Sequence, residues 1–219
     1  MSRKSFHQVQ LKKEQQLVPA MLNKRRFSLK KILNRYMGLP FTQYQAVVTY
    51  DDIQEAGLES VFSAAMKEML PFWKKMSHES EPVDIEVRGV AIALDEELSF
   101  SSYRFASLQS PVYKLPLMPD LERYEQYCHL HMQQEELFAP SVEKAIKRRA
   151  IQDFMQDLLP VVHHVPIIRL SVYDRFSDGE ESATLGAILA EDSERFYLAV
   201  ADAITQQLQN VDQLFDCEF

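Results

Sequence analysis

The 219-residue sequence predicts an α+β fold: an antiparallel sheet of hairpins packed with several helices, behind a basic helical N-terminal segment. Three observations carry this expectation. Helical and strand-like runs come in separate blocks without βαβ regularity. Residues 83–94 hold two alternating apolar runs in opposite phase, Val83, Ile85, Val87 and then Val90, Ile92, Leu94, as in half-buried strands. Several longer stripes recur at helical spacing between caps and breakers. A composition of 46% hydrophobic and 26% charged residues suits a folded chain and excludes disorder throughout.

In chain order, Phe6 to Leu17 is helix-compatible and Pro19 interrupts it. Ser28 offers an N-cap for a helix whose apolar stripe is Leu29, Ile32, Leu33, Tyr36 and Met37, stopped by Gly38 and Pro40. Gln45 to Tyr50 reads as a strand and Ile53 to Met76 as a helix, kinked or broken at Pro71. A bulge at Gly89 would bring the two apolar runs of 83–94 onto one face, and Asp95-Glu96-Glu97 would turn the chain into a second strand, Leu98 to Phe105. Asp120 and Ser141 are candidate caps for an αα-hairpin, Leu121 to about Phe138 and Val142 to Leu159. Val161 to Val165 and Ile167 to Tyr173 look like strand. Asp178-Gly179 is a turn signal, Thr184 to Ala190 a returning strand, and Ser193 the cap of the last helix. These elements divide the chain into a basic helical segment, 1–40, and an acidic α+β domain, 41–219.

Charge is the most informative feature for function. Residues 1–50 carry ten Lys and Arg against Glu14 alone, whereas 51–219 carry 14 against 31, so the net charge of −8 is polarised along the chain. A cationic segment on an acidic body suits a phosphate backbone or an acidic protein face. The candidate phosphate contacts are Lys24, Arg25, Arg26, Lys30, Lys31 and Arg35, around one capped helix. The same cations could instead solvate a helix face or dock on the protein's own acidic surface. Residues 29–44 resemble the last helix and exit turn of an AraC-type DNA-binding domain, with Leu29, Leu33, Arg35, Gly38, Phe41 and Tyr44 where that pattern has them. The resemblance covers sixteen of 219 residues, and there is no room upstream for that family's first helix-turn-helix.

Other constellations are weaker. Cys128, His131 and Glu135 share a helix face and His163-His164 could approach them, a zinc-competent set without HExxH or paired-cysteine spacing. Two cysteines, Cys128 and Cys217, are expected to be reduced thiols. Asp84 and Glu86 fall on the solvated face of the first alternating run, and Arg88 stands where a nuclease strand would carry Lys. The acidic, aromatic-ended tail 213–219 could dock on a partner or pack on the core. The five glycines spell no phosphate loop and no nucleophile elbow. No stretch approaches the roughly eighteen apolar residues of a membrane span.

The expected function is therefore a non-enzymatic, cytoplasmic accessory or regulatory protein, without cofactor and without membrane association. Its basic helices would contact DNA or RNA phosphate and its acidic body a protein partner. A protein-interaction subunit without nucleic acid and a metal-dependent hydrolase are the alternatives.

Overall fold

The computed structural model describes residues 23–39, 47–67, 69, 73, 78–83, 85–115, 118, 121–135 and 140–216. The helix expected over Phe6 to Leu17, the break at Pro71, the Asp120 cap and Cys217 lie outside them. The chain divides into two compact units, one of Met1–Pro40 with Val172–Ala203 and one of Phe41–Ser171 with Ile204–Phe219. The fold is α+β, a small sheet packed against several helices.

In the first unit, helix α1 spans residues 23–37 and buries Leu29, Ile32 and Leu33 completely. Leu39 donates its N–H to the Leu33 carbonyl at 3.3 Å, after Gly38 has taken the left-handed φ of +61° that ends the helix. Strands β4 (Arg175–Ser177) and β5 (Ser182–Thr184) form an antiparallel hairpin around Asp178-Gly179. Thr184 to Ala190, expected as a returning strand, leaves the sheet after Thr184. The Thr184 hydroxyl accepts the Ala187 N–H and starts helix α8 (Leu185–Glu191), because a satisfied N-cap outweighs the β preference of a short run. Helix α9 (Tyr197–Asp216) begins here and continues into the second unit.

In the second unit, β1 (Ile85–Val87) and β2 (Val90–Asp95) are antiparallel, Val87 facing Val90. The expected bulge at Gly89 is instead a two-residue turn: Arg88 and Gly89 have φ of +54° and +78°, the handedness that suits hairpin strands. The change of phase between the two apolar runs is the chain reversing. Strand β3 (Ile167–Ser171) pairs with β2 in parallel, Ala93 opposite Arg169, so the three-stranded sheet is mixed where hairpins alone were expected. A parallel partner needs a long crossover, and residues 96–166 supply one that is largely helical.

The crossover replaces the second expected hairpin strand. Leu98 to Phe105 becomes a 3₁₀ turn (Glu97–Ser99) and helix α4 (Ser102–Leu108), with the Ser101 hydroxyl accepting the Arg104 N–H at 3.1 Å. A second 3₁₀ turn (Pro111–Lys114) precedes helices α5 (Glu122–Glu135) and α6 (Pro140–Asp157), each close to its expected bounds. Helix α4 packs on both. Val161 to Val165 is not strand: α7 (Leu159–Val162) takes its first half, and His164 turns with φ +56°. The expected helix from Ile53 begins, among the described residues, as two short ones, α2 (Tyr50–Glu55) and α3 (Glu59–Ala65), separated at Gly57, and Trp73 further on is also helical. Of the strand expected over Gln45 to Tyr50, the described residues 47–50 contribute a bridge, Thr49 to Glu79, before Thr49 and Asp52 cap each other to start α2. Phe62, Trp73 and Phe154 anchor the apolar core, the Phe62 ring 5.2 Å from Trp73 and 6.0 Å from Phe154.

The β1–β2 turn is directly testable. Arg88→Asn, which tolerates positive φ better, is expected to raise stability by several tenths of a kcal/mol, and Gly89→Ala to lower it by about 1 kcal/mol. Urea unfolding checks both, and a neutral Gly89→Ala would contradict the turn.

Candidate functional site

Two charged assemblies stand out, one in each unit. The first surrounds α1. Its buried arc carries Arg25, 6% exposed, whose Nε donates to the Gly186 carbonyl at 3.2 Å. Gly186 lies so close that a Cβ there would sit 3.0 Å from the Val172 side chain and 3.2 Å from the Arg25 guanidinium. Arg25, expected among the phosphate contacts, is thus an anchor of the helix. The opposite arc displays Asn23, Lys24, Phe27, Asn34 and Arg35, with Lys30 and Lys31 half-buried beside them. Phe27 is 69% exposed, one helical turn from Lys24 on one side and from Lys30 and Lys31 on the other. Arg26 is half-buried.

One edge of this arc is already neutralised. Lys31 Nζ lies 2.6 Å from Glu194 Oε1 and 3.0 Å from Asp192 Oδ2, and Arg35 reaches the same Glu194 oxygen at 3.2 Å. Asp192 is the left-handed C-cap of α8, φ +60°, and its carboxylate also accepts from the Ser28 hydroxyl at 3.3 Å and from the Tyr197 hydroxyl. Tyr197 and Lys31 hold the Asp192 carboxyl below its ordinary range, and Lys31 and Arg35 do the same for Glu194. Burial, reinforced by Asp192, pushes the Tyr197 hydroxyl up to about 12. Nearby, the Glu181 and Glu180 amides and then Arg195 bring Asp178 down to about 2.

The second assembly is buried in the other unit, and nothing in the reading of the sequence anticipated it. Arg149, Asp153 and Asp157 recur every fourth residue on α6, a spacing that places them on one helix face. Arg104 comes from α4, the end of β2 brings Asp95 and the middle of β3 brings Arg169, and the strand register sets these two on one face of the sheet. Arg169 donates from NH1 to Asp95 at 2.6 Å, from NH2 to the Asp153 carbonyl at 2.8 Å, and from Nε to Asp157. Arg104 NH2 reaches the other Asp157 oxygen at 2.6 Å, and the Tyr113 hydroxyl donates to that same oxygen. Tyr124 donates to Asp95 at 2.8 Å, and Arg149 pairs with Asp153 at 2.8 Å.

Three guanidinium groups thus face three carboxylates, every side chain but Arg149 at most 1% exposed. Burial pushes the Asp95 carboxyl up, but Arg169, Arg149 and Arg104 together hold it below its ordinary range. At Asp153 burial prevails and the carboxyl is raised, its neighbour Asp95 adding to the shift. Burial drives the Tyr113 hydroxyl well up. Apart from the Arg149 edge the assembly is sealed from water, and its ion pairs tie strand, crossover helix and α6 together.

The other sequence candidates are dispersed. Cys128 is fully buried and His131 half-buried near the Phe100 ring, while the Glu135 side chain lies outside the described residues. His163 sits 3.1 Å from the Val47 carbonyl and 3.5 Å from Asp52, and His164 is exposed. Among the described residues no three metal-competent side chains converge. Glu86 is half-buried on β1 and Asp84 lies outside the described residues, as do Phe41, Tyr44 and the end of the tail. No described helix is long and apolar enough to cross a membrane. No protein-family model, no curated protein and no solved structure matches the chain.

Two outcomes follow from these geometries. Asp157→Asn should cost about 3–5 kcal/mol, since it leaves Arg104 and Arg169 buried without their shared counter-charge. Chemical denaturation checks this, and a cost under about 1 kcal/mol would show that the cluster does not clamp the unit. Asp192, Glu194 and Asp178 all have depressed folded-state values, so the stability they contribute is complete above the unfolded value of about 4 and is lost as pH falls through their folded values. Amide resonances of residues 28–35 should accordingly titrate with a midpoint below about 4, and a midpoint at or above it would remove the pairing with Lys31 and Arg35.

Proposed function

We propose that the protein is a non-enzymatic accessory protein of the cytoplasm whose helix α1 contacts nucleic-acid phosphate, while the acidic remainder of the chain presents a surface to a protein partner. The observation that carries this reading is the exposed arc of α1, where Phe27 stands in solvent between Lys24 and the Lys30–Lys31 pair. A large aromatic left in water has lost its burial energy, and flanking cations add a second affinity to the same face. Cations that grip a backbone and a ring that takes a base by stacking are the two elements of sequence-tolerant single-strand binding. Lys24, Lys30, Lys31 and Arg35 supply the first element, with Arg26 at the margin and Arg25 holding the helix in place.

A partner bearing carboxylates is the second reading. What favours it is that Lys31 and Arg35 already bind carboxylates, those of Asp192 and Glu194, at hydrogen-bonding distance. The two readings separate by titration of labelled oligonucleotides, single-stranded and duplex, DNA and RNA, over a salt series. The nucleic-acid reading expects affinity that falls steeply with salt. Lys24→Ala with Lys30→Ala should flatten the slope by roughly one to two units and weaken low-salt binding by about tenfold. Phe27→Ala should weaken single strands more than duplex, by about 1 kcal/mol or more, without lowering the melting temperature. Absence of salt-sensitive binding at low ionic strength refutes it.

A further inference from the structure

We infer that Glu194 is an autoinhibitory competitor for the basic face of α1, occupying with its carboxylate the Lys31–Arg35 position that a phosphate oxygen takes in the complex; this rests on the nucleic-acid reading above. A single oxygen, Glu194 Oε1, receives both cations, Lys31 at 2.6 Å and Arg35 at 3.2 Å. Lys31 and Arg35 stand four apart on α1, one turn of helix, so their charged heads converge on one acceptor. An oxygen anion held by a lysine and an arginine is the coordination a backbone phosphate offers.

Glu194 and its neighbour Asp192 play different parts. Asp192 is built into the fold: it caps α8 in the left-handed region and takes the Ser28 and Tyr197 hydroxyls besides Lys31. Glu194 belongs to the short 3₁₀ turn Glu194–Phe196, its side chain is 47% exposed, and both of its ion pairs are to the basic face. Exposed pairs of this kind are weak and salt-sensitive, so phosphate can displace the carboxylate. A displaced Glu194 swings into water, whereas Asp192 stays and keeps Lys31 in position.

The consequence is a threshold. With Glu194 in place, a strand gains the contacts of Lys31 and Arg35 only by expelling a carboxylate. Removing that carboxylate should add contacts rather than merely reduce repulsion, and counterion release then registers them as a steeper salt dependence.

The test uses the full-length protein and fluorescence anisotropy with labelled oligothymidine across a salt series. Glu194→Gln is expected to bind about three- to tenfold more tightly at low salt, with a slope steeper by roughly one unit. Glu180→Gln makes the same change in net charge on the exposed β4–β5 loop and should stay near wild type. In a Lys31→Ala, Arg35→Ala background the gain from Glu194→Gln should vanish. Wild-type binding with no gain in Glu194→Gln, or an equal gain in Glu180→Gln, overturns the inference while leaving the nucleic-acid reading intact. Silence of both the wild type and Glu194→Gln at low salt removes both, and binding by Glu194→Gln where the wild type is silent supports both. Circular-dichroism melting confirms that each variant is folded.

Discussion

The guanidinium of Arg169 is the point on which the larger unit depends. It lies in the middle of a strand, without access to water, and donates to carboxylates from β2 and α6 and to the Asp153 backbone. Removing a charge of this kind from water costs several kcal/mol, which only complete coordination offsets. The position of every neighbour is therefore constrained: β2 must run parallel to β3 to bring Asp95 alongside, and α6 must present Asp153 and Asp157 in successive turns. Arg104 and Arg149 balance the carboxylates so gathered. An apolar core would tolerate a shifted helix, whereas a charge cluster with fixed donor directions tolerates very little.

This constraint explains which elements a reading of the residues could reach. The two helices over 122–135 and 140–157, the stop at Gly38, the Asp178-Gly179 turn and the last helix depend on caps, breakers and periodicity, all local properties. Leu98 to Phe105 is aromatic and β-like by itself, yet it becomes helix because Ser101 caps it and Arg104 must reach Asp157. The pairing of β2 with β3 depends on residues more than seventy positions apart, and local pattern carries no information about such a partner. One trace was available: Arg149, Asp153 and Asp157 every fourth residue on an otherwise apolar face of a predicted helix, a spacing that asks for buried counter-charges.

The basic segment divides along the same line. Its composition is visible in the residues, and so is the helix with its C-terminal stop, whereas Ser28, expected as the N-cap, lies inside a helix that already runs from residue 23 and gives its hydroxyl to Asp192. Helix phase then separates Arg25 from Lys24 and turns one inward and the other outward, although they are adjacent in sequence. Asp192 and Glu194, more than 150 residues downstream, complete the electrostatics of the segment, and only the folded unit brings them to Lys31 and Arg35. Phe27 is invisible as a functional candidate until its exposure is known, because an aromatic on an amphipathic helix normally belongs to the core.

Polarised charge along a chain does not translate directly into a polarised surface. Part of the N-terminal excess is answered inside the same unit, and what α1 displays is a narrower arc of cations around one aromatic ring. A face of that size has few cations to offer a phosphate chain, so the binding proposed for it would be sequence-tolerant, moderate in affinity and sharply dependent on ionic strength. Such a face serves a protein that attaches reversibly to a polyanion better than one that reads a sequence, since base readout would require donors and acceptors held rigidly along a groove. The carboxylates bordering the arc already pair with Lys31 and Arg35, so any anion that reaches those two cations has to compete with them.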